Sequence, residues 1–173
     1  MELDMNKNID ASQRNKEIIS FYPSIIPAEE KHPTSAKFIV VETGDERGKG
    51  LKGKVAFHKN EFIAKLSGII VNHTTLNTIQ ISPTLYFSDQ WFCRYLLHSC
   101  DPNLGIYVEN LGVRALKDIS PGEYLTIDYA ATDDKVTFQF ACSCGAPNCR
   151  NWVTGRAEDI NEEGRSYLAQ QGL

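Results

Sequence analysis

Three cysteines stand within eight residues near the C-terminus, in the segment Cys142-Ser-Cys144-Gly-Ala-Pro-Asn-Cys149, and a fourth, Cys100, lies 42 positions before the first of them. Four thiolates complete the tetrahedral shell of a structural zinc ion, and small turn residues between the ligands let the backbone wrap around one ion. The Cys-x-Cys-x4-Cys spacing is also rarer than paired Cys-x2-Cys. We therefore predict one structural zinc per chain, which clamps the end of the chain over the loop His98–Asn103.

The composition limits the classes of protein to which the chain can belong. Its 173 residues, 42% of them hydrophobic, suit a single globular domain. The net charge is −4 and the basic residues are scattered, so we expect no direct binding to nucleic acid. No apolar run approaches 18 residues, and the N-terminus lacks the layout of a signal peptide, so we expect an intracellular protein, cytoplasmic or nuclear. The fifth cysteine, Cys93, is expected to be a small buried hydrophobe.

The hydrophobic pattern predicts many short strands and few helices, which is a mostly β (α+β) fold in one domain. Helices are expected at residues 15–22, at Ser88–Leu97, and at about 160–170, where Asp159 and Glu162 have the spacing of an N-cap and its capping-box partner. The predicted strands lie at Lys37–Thr43, Gly50–Phe57, Glu61–Val71, Thr78–Ile81, 104–108, Val113–Lys117 and Tyr124–Asp128.

Four motifs follow one another in a fixed order, at Arg47–Leu51, Phe57–Ala64, Arg94–Asn103 and Val113–Tyr129, with the cysteine cluster after them. The third reads Arg-x-x-Leu-His-Ser-Cys-Asp-Pro-Asn and the fourth ends in Leu-Thr-Ile-Asp-Tyr. In this order they resemble the SET-domain lysine methyltransferases that carry a post-SET zinc tail. The resemblance covers about residues 36–153, two thirds of the chain.

The resemblance implies a SET fold of the β-clip type, with a C-terminal pseudoknot and a post-SET zinc site. It divides the chain into an N-terminal extension at 1–35, a SET domain at 36–135, a post-SET zinc segment at 136–153 and a C-terminal helical extension at 154–173. It also implies that S-adenosylmethionine is the cofactor and that a lysine of a protein or peptide is the methyl acceptor.

The family's cofactor-binding positions fall on two segments of this chain. The first is the turn Gly48-Lys49-Gly50, where residues without Cβ let the backbone approach a ligand closely; a glycine pair alone most often marks only a tight turn. The second holds Arg94, Leu97 and His98. Leu97 departs from the family, which has Asn at that position, so the hydrogen bonds of an amide side chain are lost. A histidine on such a loop can equally be a structural residue.

The resemblance makes Tyr129 the catalytic tyrosine and also a cofactor-binding residue, although a tyrosine at a strand end is more often a half-buried aromatic. Its phenol would hydrogen-bond the lysine amine or hold the methyl donor in line. Only about 0.1% of free lysine is neutral at pH 7, so a dry channel beside a sulfonium must lower its pKa. No metal need contact the substrate, and the zinc is structural.

Three further residues are assigned around this tyrosine. Ile127 stands where the family often has Phe or Tyr; it carries no hydroxyl to restrict turnover, so dimethylation or trimethylation is favoured. Phe140 and Trp152 flank the cysteine cluster. They either pack the tail or wall the site, Phe140 in the substrate channel and Trp152 in the cofactor pocket.

Two alternatives to a protein-lysine methyltransferase remain open from the sequence. The segment between Gly68 and Arg94 is short, which favours a related enzyme acting on a free amino acid or small amine. Leu97 and the altered Gly68-Ile69 pair favour a catalytically inactive SET-like binding module. The sequence does not determine the oligomeric state.

Overall fold

The computed structural model of the protein describes residues 19–173. In this part of the chain twelve short strands are joined by turns, with a 3-10 turn at Cys93–Tyr95, and no helix is long and apolar enough to cross a membrane. The strands are β1 (Phe38–Glu42), β2 (Lys49–Gly53), β3 (Phe62–Lys65), β4 (Ile69–Val71), β5 (Thr78–Ser82), β6 (Leu85–Ser88), β7 (Leu97–His98), β8 (Leu104–Tyr107), β9 (Gly112–Ala115), β10 (Thr126–Ile127), β11 (Phe140–Ala141) and β12 (Trp152–Val153). The helices are α1 (Tyr129–Thr132) and α2 (Glu162–Gln170). The predicted mostly β class is confirmed.

The strands form five small sheets instead of one large one. Two have three strands, in the orders β3-β9-β8 and β4-β6-β5, and the pairs β1-β2 and β11-β12 are antiparallel hairpin-like ribbons. The pair β7-β10 is parallel, with Leu97 opposite Thr126 and His98 opposite Ile127. Parallel neighbours need a long crossover connection, so this pairing brings together two segments nearly thirty residues apart in the sequence.

Three predicted helices differ from the structure. Residues 15–18 of the first lie outside the described part, and the remainder is not helical, since Ser20 bridges Thr34 as a short antiparallel pair. The predicted helix Ser88–Leu97 is wrong: Asp89 accepts hydrogen bonds from the backbone N–H groups of the second and third residues after it, at 2.9 Å each, and so holds a turn. Helix α2 is present, but its N-cap is Asn161, whose Oδ1 accepts from the N–H of Gly164.

The predicted strand Glu61–Val71 is divided into β3 and β4, and strand β6 was not predicted. The break falls at Leu66–Gly68. A Cβ on Gly68 would lie 2.1 Å from the carbonyl oxygen of Ser88, so only glycine lets the end of β6 approach this closely. The other predicted strands are present with shifted ends.

The core is aromatic and lies under β1 and the 3-10 turn. Phe38 stacks on Phe57 with ring centroids 5.6 Å apart and meets the edge of Phe92 at 5.0 Å. All three are fully buried. Beside them the fully buried carboxyl of Asp89 accepts a 2.8 Å hydrogen bond from the hydroxyl of Tyr22. This bond satisfies a buried polar group and fastens the N-terminal segment to the domain.

Asn103 holds the segment after β7 against the segment that contains β10. Its amide Nδ2 donates to the carbonyl of Tyr124 and its Oδ1 accepts from the N–H of Thr126, both at 2.8 Å. Its own N–H donates to the hydroxyl of Thr126 at 3.2 Å. A buried residue with three hydrogen bonds to a segment distant in the sequence, two of them from its side chain, holds the two segments in register.

Asn103→Ala should therefore destabilise the domain by about 2–3 kcal/mol, because two backbone groups of the partner segment lose their partner in a buried place. Chemical denaturation followed by tryptophan fluorescence measures the change. Asn110→Ala, at an exposed asparagine, is the matched control and should change the free energy of unfolding by less than about 0.5 kcal/mol. Equal effects of the two substitutions would contradict this role of Asn103.

Candidate metal centre and adjoining cavity

The four cysteines predicted as ligands converge in the structure. The sulfur atoms of Cys100, Cys142, Cys144 and Cys149 all lie within 4.8 Å of one another, and the sulfurs of Cys100 and Cys142 are 3.8 Å apart. Zinc–sulfur bonds of about 2.3 Å place the corners of a tetrahedron about 3.8 Å apart. All four thiols are free of disulfides. The donor set and its spacing therefore fit one tetrahedral zinc ion.

Backbone N–H groups surround the sulfurs. Those of Cys100 and Ala146 point at Cys144 and, although burial opposes ionisation, hold the pKa of the Cys144 thiol at about 6. The N–H of Arg150 donates to Cys100 at 3.3 Å, and that of Asn151 donates to Cys149 at 3.4 Å. Donors of this kind stabilise thiolates, which are the form that binds metal. The fifth cysteine, Cys93, is buried in the main hydrophobic core, where burial raises the pKa of its thiol.

His98 links the cysteine cluster to Tyr129. Its Nδ1 accepts from the backbone N–H of Tyr129 at 3.3 Å, which leaves the proton on Nε2, 3.5 Å from the sulfur of Cys100. Burial lowers the pKa of His98 to about 4, so the ring is neutral at pH 7. The histidine thus serves as a neutral bridge, with its Nε2–H facing the sulfur of Cys100 on one side and its Nδ1 accepting a backbone hydrogen bond on the other.

An ion pair makes a second link between the same regions. Asp128 caps α1 by accepting from the N–H of Ala130 at 3.0 Å. The same carboxylate accepts two hydrogen bonds from the guanidinium of Arg150, at 2.8 and 2.5 Å. Arg150 directly follows the last cysteine, so the bidentate contact ties the cysteine cluster to the first turn of α1.

Tyr129 begins α1 directly after β10, and its side chain turns inward. Its hydroxyl donates to the carbonyl oxygen of Leu96 at 3.0 Å. Burial, with a smaller contribution from Asp133, raises the pKa of Tyr129 to about 12. The phenol is therefore protonated at neutral pH and acts as a hydrogen-bond donor, not as a base.

A cavity of about 80 Å³ opens beside this phenol. It gathers predicted site residues from three separate motifs: Arg94, Ile127, Tyr129 and Phe140. The rings of Tyr129 and Phe140 meet edge to face with centroids 6.3 Å apart. The remaining walls come from residues 74–79, from Cys93 and Leu96, and from residues 132–138 except Asp134.

The predicted glycine turn does not line this cavity. Gly48 has a φ of +72° and is exposed, as is Lys49. A Cβ on Gly50 would lie 2.9 Å from Cδ1 of Leu97 and 3.0 Å from the ring of Tyr124, so glycine is required there for close packing. The structure thus brings Gly50 and Leu97 together, and the leucine is buried against the turn.

Trp152 also lies away from the cavity. Its ring packs on Tyr167 of α2 with centroids 5.5 Å apart, and a Cβ on Gly164 would lie 2.4 Å from its Nε1. The structure thus places buried Trp152 in the packing between the tail and α2, and not in the lining of the cavity beside Tyr129.

Gln139 was missed by the sequence analysis. Its Oε1 accepts from Trp152 Nε1 at 3.0 Å and from the N–H of Asn161 at 2.9 Å, while its Nε2 donates to the carbonyl of Asp159 at 2.9 Å. The residues on either side of it, Phe138 and Phe140, both line the cavity. Gln139 thus fastens the aromatic wall to the start of α2. The alternation of aromatic and polar residues in Phe138-Gln139-Phe140 was the available signal for a structural role. The residues that bond to Gln139 cannot be identified from the sequence.

Comparison with known proteins agrees with this arrangement. The pattern of the SET domain family matches residues 6–130, so the chain belongs to the SET domain family. It is 39% identical over 85 residues to the "Histone-lysine N-methyltransferase, H3 lysine-9 specific" of Schizosaccharomyces pombe; the match covers 36% of this chain and 17% of that protein. The chain therefore spans only a small fraction of the curated relatives it matches.

Two solved structures are similar in fold. The methyltransferase domain of human histone-lysine N-methyltransferase SETMAR aligns with a TM-score of 0.56 at 22% identity, covering 73% of this chain and 59% of that one. KRYPTONITE, solved in complex with mCHG DNA and SAH, aligns with a TM-score of 0.55 at 25% identity, covering 66% and 28%. The predicted SET fold is confirmed, and the cysteine cluster fits its predicted post-SET zinc site.

Elemental analysis of freshly purified protein should find one zinc per chain. Cys142→Ser should abolish this zinc, and because metal binding contributes on the order of 10 kcal/mol in small modules, the tail after Phe140 should lose its protection from hydrogen exchange. The aromatic core has its own apolar support and should keep its protection.

Cys93→Ala, which changes the cysteine outside the cluster, should keep the zinc and the protected tail. Zinc-free wild-type protein, or a tail equally protected in Cys142→Ser, would show that the cluster is not a structural metal site.

Proposed function

We propose that the protein transfers a methyl group from S-adenosylmethionine to the side-chain amine of a lysine in a protein substrate. The observation that carries this proposal is the pairing of the Tyr129 hydroxyl with the Leu96 carbonyl, 3.0 Å apart, at a cavity also walled by Phe140. The phenol oxygen of Tyr129 and the carbonyl oxygen of Leu96 can both accept hydrogen bonds from the N–H groups of an amine, and so can orient it while its lone pair stays free. Membership of the SET domain family supports the reaction class.

The proposed cofactor supplies a methyl group on a positively charged sulfur. Its proposed site is formed by the exposed backbone at Gly48 and Lys49, by Gly50 with Leu97, and by His98, and the cation of Arg94 would pair with its carboxylate. Lining of the cavity by Arg94 supports this assignment, as does the SAH bound in the KRYPTONITE complex. Trp152 would support this site only indirectly, through Gln139.

The residues around the cavity would orient the lysine side chain and exclude water from it. Free lysine has a pKa near 10.4, and transfer into an apolar channel disfavours its charged form. The carbonyl of Leu96 can accept a hydrogen bond from the amine. The protonated phenol of Tyr129 remains a donor throughout, so the proton of the lysine would leave to water before the amine attacks. No zinc ligand contacts the reacting atoms in this scheme.

We propose that the chain is organised in four segments. Residues 36–135 form the SET domain and 136–153 the post-SET zinc segment, with an N-terminal extension at 1–35 and a helical extension at 154–173. The contacts of Arg150 and Gln139 support the last boundary, since they join the zinc segment to the domain on one side and to α2 on the other. Four free thiols that bind zinc favour a reducing, intracellular compartment, cytoplasmic or nuclear.

Tyr129→Phe should reduce methyl transfer by a hundredfold or more, which corresponds to roughly 3 kcal/mol for one preorganised donor. The ring keeps its packing, so the fold and the affinity for S-adenosylmethionine, measured by calorimetry, should stay nearly unchanged. Transfer of labelled methyl groups into lysate proteins, followed by mass spectrometry, measures the activity.

Tyr107→Phe, at a partly exposed tyrosine outside the cavity, serves as the control and should keep full activity. Normal transfer by Tyr129→Phe would mean that the catalytic tyrosine lies elsewhere or that the acceptor is not a lysine-type amine.

Ile127 is proposed to permit dimethylation or trimethylation. It is buried and lines the cavity next to Tyr129, and its side chain offers no hydrogen bond to a water molecule beside the amine. Ile127→Tyr should therefore leave mainly monomethyl-lysine, because the new hydroxyl holds a water where a further methyl would fit. Ile127→Phe adds the same ring without the hydroxyl and is the size control; it should yield higher methylation states. Mass spectrometry of the product separates the two, and identical product distributions would contradict the role of the hydroxyl.

A further inference from the structure

The mouth of the cavity has two walls. One is the loop 74–77 with the first two residues of β5, and the other is the segment 132–138, of which all residues but Asp134 line the cavity. Gln80 of β5 joins the two walls. Its N–H donates to Asp133 Oδ1 at 2.9 Å, its Oε1 accepts from the N–H of Asp134 at 2.7 Å, and its Nε2 donates to Asp134 Oδ2 at 2.9 Å. These three hydrogen bonds between Gln80 and the pair Asp133 and Asp134 hold the two walls together. The side chains exposed at the entrance can therefore select which substrates bind.

Each wall exposes one large apolar side chain at the mouth. Leu76 on the loop is 68% exposed, and Phe138 on the opposite segment is 57% exposed. Both line the cavity. Apolar side chains at the rim of a concave site are typical of places where a partner's apolar side chain is buried. A free amino acid or small amine would not extend far enough to cover them.

The charge of the mouth is opposite in sign to that of the chain. The chain carries a net charge of −4, yet the charged residues lining the cavity are Arg94, Lys135 and Asp133. Asp133 is buried, both of its carboxylate oxygens accept hydrogen bonds, and burial raises its pKa. The two cations are exposed, and within residues 19–173 neither forms a salt bridge.

We assign different roles to the two cations. Arg94 is the residue that we assign to the carboxylate of the cofactor. Lys135 lies three residues before Phe138 on the same wall and is left to face the substrate. An acidic residue beside the acceptor lysine would pair with Lys135, whereas a basic one would be repelled.

We infer that the substrate is a protein segment in which the acceptor lysine has an acidic residue and an apolar residue within about two positions of it. The inference rests on the proposed function for the acceptor and specifies its surroundings. The acidic residue pairs with Lys135, and the apolar residue packs between Leu76 and Phe138. Arginine-rich or lysine-rich surroundings, such as those of a basic tail, are disfavoured.

Eight nine-residue peptides with a central lysine test this inference. Their neighbouring residues combine Leu or Gly with Glu or Arg, and each combination is made in both orders. Fluorescence anisotropy measures binding, and mass spectrometry measures methyl transfer from S-adenosylmethionine. The Glu peptides should bind about threefold more tightly than the Arg peptides at low salt, as exposed ion pairs do, and the difference should fade at 0.5 M salt. Leu should improve binding about fivefold over Gly.

Lys135→Glu should invert the preference between Glu and Arg peptides without changing the preference for Leu. Lys59→Glu makes the same charge change at an exposed lysine outside the cavity and should leave both preferences as in the wild type. Tighter binding of Arg peptides, no binding of any peptide, or an unchanged charge preference in Lys135→Glu would overturn the inference. Selective binding without methyl transfer would support the inference and contradict the proposed function, so the two can fail separately.

Discussion

The parallel pairing of β7 with β10 is the constraint on which the site depends. The register pairs Leu97 with Thr126 and His98 with Ile127, and Asn103, five residues beyond β7, binds the start of β10 through Tyr124 and Thr126. Because the two strands run in the same direction, the segments that follow them emerge at the same edge. Cys100 and Tyr129 are therefore neighbours in space, and the metal cluster and the cavity share a wall.

The groups at that edge are held in protonation states that burial and hydrogen bonding determine. His98 is neutral because it is buried, and its position between a backbone N–H and a thiol sulfur uses both ring nitrogens. Tyr129 keeps its proton for the same reason. The strong ion pair between Asp128 and Arg150 stands at the surface side of the edge. His98 and Tyr129 therefore bring no charge to the site at neutral pH, and the burial around them disfavours the charged form of any group beside them.

The features of the site that could be predicted from the sequence are those that depend on residue type and on spacing along the chain. The cysteine cluster was predictable because metal ligation demands particular residue types at short spacing. Tyr129 and Ile127 were assigned by the resemblance and Phe140 by its place beside the cysteines, and the structure brings the three around one cavity. Residues 88–97 were predicted as a helix, whereas the helical part is only the 3-10 turn Cys93–Tyr95, and the carboxyl of Asp89 before it also binds the distant Tyr22. Trp152 was expected either to pack the tail or to wall the cofactor pocket, and its contact with Gly164 of α2 could not be foreseen. Contacts of that kind depend on the tertiary fold.

Gln139 links α2 to the wall of the cavity, although no residue of α2 lines the cavity itself. A chain cut after Val153 would retain every cysteine ligand, Arg150 and the whole cavity lining, and yet would lose Asp159 and Asn161, which bind the amide of Gln139. Gln139 would then keep only its bond to the indole N–H of Trp152, and the segment Phe138–Phe140 would lose its tie to the start of α2. The smallest fragment with an intact aromatic wall therefore extends beyond the last metal ligand, at least to Asn161.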